Sequence, residues 1–337
     1  MTVCRRSSVG QPVILTFAAV AVALVVLAPP VVAEAQQAKK VWRIGFLAPG
    51  SVETHQNSLA ALEQGLRDLG YVEGDNTVIE RRHANGNLER LPGLAAELVR
   101  LKVDVLVAHG GAAFEAKKAT ATIPVVFVAN PDPVGVGLVA SLARPGGNLT
   151  GLSDLHSGLV TKRLELLKEV VPSASRVAVL WDSTPELALQ LRDIQASAPA
   201  FGMTIVPVMA KAPSDIDRAL SIIGKERPDG LNVLGTPLFA MHRNRIADFA
   251  LKSRLPAIST VRRFAEAGFL MSYGADFADL YRRAATYVDR VLKGTKPGDL
   301  PIEQPTKFEL VINLKTARAL GLTIPPPVRL RADHSIE

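Results

Sequence analysis

The feature that most constrains this chain is one pattern written twice. Residues 41–47 (VWRIGFL) form a short apolar run, and Leu59, Leu62, Leu66 and Leu69 then recur at helical spacing up to Gly70. Apolar runs alternating with amphipathic helices describe βαβ units, which put parallel strands into one sheet. The series goes on with strands over 76–80, 103–108 and 124–129 and helices over 91–101 and 112–120. It restarts at Arg176, where 176–180 (RVAVL) parallels 43–47 (RIGFL). A helix over 186–196, a strand over 204–208, a helix over 216–225 and a strand over 230–234 follow. Asp104-Val-Leu-Val-Ala-His-Gly110 corresponds to Asp229-Gly-Leu-Asn-Val-Leu-Gly235, and Ile123-Pro-Val-Val to Leu255-Pro-Ala-Ile. Landmarks matching in the same order predict an α/β protein of two similar doubly wound parallel-sheet lobes.

A helix over 277–292, a strand over 308–312 and a short helix over 314–320 remain after the second series. Such leftovers suit a chain that passes between lobes more than once. Hinge crossings are expected near 148–151, 272–275 and 301–305. One lobe would then hold 41–150 with 274–300, the other 151–273 with 301–325, and 326–337 would be a tail.

The N-terminus carries Arg5 and Arg6, an uncharged run over 13–28, Pro29-Pro30 and the small-residue site Ala33-Glu34-Ala35. That is the layout of a secretory signal peptide over 1–35, removed before Gln36, which predicts a periplasmic product. The single cysteine, Cys4, lies within it. The mature chain therefore has no disulfide and must rely on an ordinary apolar core. The formal net charge is +7, but the basic residues are scattered as pairs beside acids. A nucleic-acid partner, which needs a clustered patch, is not expected. No nucleophile elbow, phosphate loop, HExxH or dinucleotide fingerprint is present, and the histidines lie far apart in sequence. The reading is a binding protein without catalysis, metal or cofactor.

In open parallel sheets, ligands bind at the carboxyl ends of the strands. That rule selects Ser51, His109, Gly110, Gly111 and Asp132 in the first lobe and Trp181, Asp182, Ser183 and Thr236 in the second. Asp154 and Tyr273 join them from beside two expected crossings. Gly110-Gly111 before a helix could donate backbone N–H groups to a carboxylate. Ser51 and Thr236 could equally cap the helices they precede, and Asp132 could be a turn residue. Trp181 and Tyr273 could stack on a ring. Asp154 is the acid assigned to a ligand ammonium, with Asp182 as its rival.

The segment 130–153 (NPDPVGVGLVASLARPGGNLTGLS) resembles the signature of the ABC-transporter substrate-binding family related to tryptophan and tyrosine importers. The stretches 64–74 (QGLRDLGYVEG), 90–98 (RLPGLAAEL) and 308–322 (FELVINLKTARALGL) are similar to that family as well. The resemblance implies a type I periplasmic-binding-protein clamshell with three inter-lobe crossings, a small-molecule ligand that is aromatic or another amino acid, and a membrane permease and ATPase as partners of a monomer. The loops 109–111 (HGG) and 181–185 (WDSTP) depart from the family pattern. Two other readings share the scaffold. A sugar-responsive regulator core would carry an N-terminal helix-turn-helix, and a secreted α/β enzyme would carry a catalytic motif.

Overall fold

Residues 1–3, 40–154 and 157–337 are described by the computed structural model. The expected signal peptide therefore lies, beyond Val3, outside the described residues. From Val41 onward the chain forms one unit.

Its first sheet is built from β1 (Trp42–Ala48), β2 (Thr77–His83), β3 (Val105–His109), β4 (Val125–Asn130) and β5 (Leu149–Ser153), in the order β2-β1-β3-β4-β5. All pairs are parallel, with Ile44 opposite both Ile79 and Val105. Helices α1 (Val52–Asp68), α2 (Leu91–Arg100) and α3 (Ala112–Ala119) connect them. Parallel sheets are covered on both faces, so β1, β3 and β4 are almost wholly apolar and buried.

The second sheet runs β12-β11-β10-β9-β8-β6-β7. Its strands are β6 (Arg176–Trp181), β7 (Thr204–Met209), β8 (Gly230–Val233), β9 (Ala257–Ser259), β10 (Met271–Ala275), β11 (Phe308–Asn313) and β12 (His334–Ile336). Only β10 and β11 pair antiparallel. Around it pack α4 (Ser157–Val170), α5 (Pro185–Ser197), α6 (Ile216–Glu226), α7 (Pro237–Met241), α8 (Arg243–Lys252) and α9 (Arg262–Glu266). In both sheets the order reverses beside the first strand of the series, between β1 and β3 and between β6 and β8, which is where a crevice opens.

The chain leaves the first sheet after β5 and returns after β10 as α10 (Phe277–Leu292). Leu280, Tyr281, Ala284 and Val288 of α10 join the core of the first sheet. Gly65 of α1 lets the two helices touch, since a Cβ there would stand 2.8 Å from the Arg282 carbonyl oxygen. A third passage, before β11, lies alongside the first: Ser153 N–H donates to the Glu303 carbonyl at 2.9 Å and Glu303 N–H to that of Gly151 at 3.2 Å.

Several elements differ from the sequence reading. Residues 148–151, expected as a crossing, lie at the start of β5, and the chain crosses only after Ser153. Gly151 fits there because a Cβ would meet the Phe127 carbonyl oxygen of β4 at 2.0 Å. Gly135 and Gly137 lie in turns that follow Asp132. Helices α4, α7, α8 and α9 were not read from the sequence. The expected tail folds as α12 (Pro326–Leu330) and edge strand β12, with α11 (Leu314–Leu320) preceding them.

Candidate ligand cleft

The strand-end loops of the two sheets face each other, and side chains bridge them at the mouth. Arg243 of α8 reaches Glu53 of α1, Nη2 to Oε1 at 2.6 Å. Arg263 of α9 donates to the Thr54 carbonyl of α1. Met241 of α7 lies against Gly86, where a Cβ would come within 2.6 Å of its sulfur. The lobes are thus held together across the cleft.

Beneath these bridges the floor of the first lobe is lined by imidazoles. His55, in the first turn of α1, packs edge-on to His109 with ring centroids 4.6 Å apart, and lies 5.9 Å from His83. His109 Nδ1 is 2.6 Å from the Tyr281 hydroxyl, whose ring is nearly parallel to it. Burial pulls the His55 pKa down to about 4, against the hydrogen bond to the Ser51 carbonyl that favours the charged form. Burial likewise holds His109 well below its ordinary value, helped by His55 and Arg263. All of them are neutral at physiological pH. Among the described residues no trio of ligating side chains is placed to hold a metal ion.

Each residue read from the sequence has a definite place. Ser51 caps α1, its Oγ accepting from Thr54 N–H at 3.3 Å. His109 ends β3, half-buried, with its ring against Tyr281. Gly110 has φ +52° and gives its N–H to the Val128 carbonyl at 2.8 Å. That amide is spent inside the lobe, which corrects its expected role as a donor to an anion; Gly111 beside it is exposed. Asp132 is an exposed turn residue, Oδ1 accepting from Gly135 N–H at 2.8 Å.

Asp154 is buried at the first crossing and acts electrostatically on Arg163 of α4, a fully buried arginine that donates to the Tyr273 carbonyl at 3.2 Å. Its carboxylate already faces a positive charge inside the protein. Trp181 is half-buried against the core under α5. Asp182 is buried, accepts from Thr184 N–H at 2.9 Å, and has its pKa raised by burial. Ser183 is exposed. Thr236 caps α7, accepting from Phe239 N–H at 3.2 Å, and its hydroxyl stands by Asp182. Tyr273 packs within the second lobe, 6.4 Å from Phe308 between ring centroids.

The structure therefore brings Asp182 and Thr236 together at the strand ends of the second sheet, with His109 at the end of β3 in the first. Sequence reasoning missed His55, Tyr281, Arg163 and Arg263. His55 sits four residues after Ser51, a spacing that places it on the same helix face. The other three lie on elements remote in sequence or not foreseen, and nothing local marks them.

Two α/β lobes linked by three passages, with a cleft at the strand ends, define the type I periplasmic-binding fold. The chain belongs to the ABC transporter substrate binding protein family, whose model matches residues 44–336. It is similar to a tyrosine-binding protein of Clostridioides difficile (strain R20291), 29% identical over 265 residues that cover 77% of this chain and 75% of the relative. Two solved structures superpose with a TM-score of 0.83, each covering 88% of this chain and 100% of its own. One is a conserved domain protein from Vibrio cholerae at 30% identity. The other is an ABC domain in complex with L-Trp from Streptococcus pneumonia at 27% identity.

Proposed function

We propose that the protein captures an amino acid, with an aromatic one as the lead, between its lobes outside the cytoplasm and delivers it to an ABC permease and ATPase for import. The observation that carries this is the cleft itself, floored by neutral imidazoles and a tyrosine, walled by Asp182 and Thr236, and spanned by side chains from both lobes. The likeness to a tyrosine-binding protein and to a complex with L-Trp supports the ligand class. The charge pattern and A-x-A site of residues 1–35 support export. Ligand favours whichever arrangement it contacts from both sides, so binding and closure are one equilibrium.

Calorimetric titration of the mature protein with L-tryptophan and L-tyrosine tests the reading, with small-angle scattering on the same samples. Saturable binding and a radius of gyration no larger than that of the free protein are expected. No binding of any aromatic amino acid would sink the ligand class.

The bridge at the mouth gives a second expected result. Arg243 holds the Glu53 carboxyl below its ordinary range through a hydrogen bond and its charge. Glu53→Gln should weaken ligand binding roughly two- to fivefold, as exposed ion pairs contribute little. The deficit should shrink as salt screens the wild-type pair. An unchanged affinity at low salt would show that the bridge does not bias closure.

A further inference from the structure

Two imidazoles meet at the floor of the cleft, and their partners fix them differently. The His55 Nδ1 lies 3.1 Å from both the Ser51 carbonyl oxygen and the Thr54 hydroxyl, and that hydroxyl spends its own proton on the same carbonyl at 3.0 Å. A carbonyl can only accept, so the proton is on Nδ1 and Nε2 carries a lone pair. For His109 the partner is a hydroxyl, 2.6 Å from Nδ1. Tyr281 is fully buried, and its hydroxyl has no other hydrogen-bond partner among the described residues. If His109 carried its proton on Nδ1, the tyrosyl O–H would be a sealed donor with no acceptor among the described residues, an arrangement native interiors avoid. The tyrosine therefore donates to Nδ1, and the remaining proton of the neutral ring sits on Nε2.

That N–H has somewhere to point. His109 ends β3 at the crevice and is half-buried there. Its Nε2 is neither bonded to a described residue nor among the sealed unpaired atoms. We propose that Tyr281 is a positioning residue that locks His109 as the Nε2–H tautomer, so that His109 offers a hydrogen-bond donor to an oxygen of the ligand. The assignment deepens the reading of the cleft as an amino-acid site and rests on it for the ligand. Two oxygens could serve, the phenol of tyrosine or the carboxylate shared by all amino acids. With the His55 lone pair alongside, a hydroxyl would find both a donor and an acceptor.

The first measurement uses the ligand-free protein. Nitrogen-15 spectra of the histidine side chains should show His109 protonated on Nε2, and Tyr281→Phe should release it to a mixture of tautomers. Calorimetry then compares L-tyrosine with L-phenylalanine. Tyr281→Phe should cost roughly tenfold in affinity for L-tyrosine, the scale of one hydrogen bond. If the phenol is the acceptor, L-phenylalanine affinity stays put; if the carboxylate is, both fall together. His109→Gln, which keeps an amide donor near the Nε2 position, should lose less than His109→Leu, and this pair decides the matter should the tyrosine variant fold poorly. An Nδ1–H ring in the wild type, or a tyrosine variant unchanged in both tautomer and affinity, overturns the proposal. A wild type that binds neither amino acid would refute the ligand class alone, because the spectra of the free protein still decide what Tyr281 does.

Discussion

Asp154→Asn is expected to destabilise the ligand-free protein by about 3 kcal/mol, the scale of leaving one member of a buried charge pair uncompensated. Arg163 is fully buried, and its Nε and Nη2 find no hydrogen-bond partner among the described residues. Burial pulls its pKa down to about 10, and the charge of Asp154 is the largest influence holding it up. The guanidinium is therefore still charged at neutral pH, in a place where the carboxylate opposes its desolvation. The sequence reading assigned Asp154 to a ligand ammonium. With Asp154 buried at the crossing, stability and affinity should fall together. Denaturant titration of Asp154→Asn and of Asp154→Asn/Arg163→Met separates the cases, because removing both charges should recover most of the loss. A single variant with wild-type stability and weakened binding would return Asp154 to the ligand.

The fold was legible wherever a local signal matched the tertiary role. Buried parallel strands read as unbroken apolar runs, and the two copies of that run, at 43–47 and 176–180, located both sheets. What escaped has physical reasons. Helix α4 carries Lys162, Arg163, Glu165 and Lys168 among its leucines, and its face is blurred because Arg163 points inward. Strand β5 looks like a loop because Gly151 interrupts it, yet that glycine is what lets β5 lie against β4. The terminal strand β12 has three residues, too few for alternation to register, and exists because β11 offers it an edge.

The site was legible by position more than by chemistry. The strand-end rule selected His109, Asp182 and Thr236, and the structure has them at or just beyond the carboxyl ends of β3, β6 and β8, since the rule depends on topology alone. The cap read for Ser51 and the turn read for Asp132 are what the backbone forms, whereas the internal use of the Gly110 amide left no mark in the sequence. Tyr281 lies 172 residues from the histidine it bonds, and Arg263 lies 209 from the carbonyl it reaches. Contacts of that separation are made by the fold, and no window of sequence contains both partners.

Acidification from about pH 7.5 to about pH 5 is expected to cost the ligand-free protein about 2 kcal/mol through His55 alone, with further losses from its neighbours. The folded ring titrates at about 4 against an ordinary value of 6.5. Between those values the unfolded chain takes up a proton that the native state refuses, so stability falls as pH drops through 6.5 and levels off below about 4. His109 and His83 shift in the same direction, burial being the largest cause in each. Carboxyls with pKa raised by burial, the buried Asp182 and the half-buried Glu309, act with the opposite sign. Those lowered by partners, such as Asp229 and Glu73, add to the acid loss. The carboxyls lowered by their partners titrate below that interval, and comparison with His55→Gln separates the imidazole from the carboxyls raised by burial. Denaturant melts across that interval should show stability rising with pH in the wild type and a flatter profile in His55→Gln. A wild type whose stability does not change there would mean that the imidazoles take up protons in the folded state, and that the floor of the cleft is wetter than its packing implies.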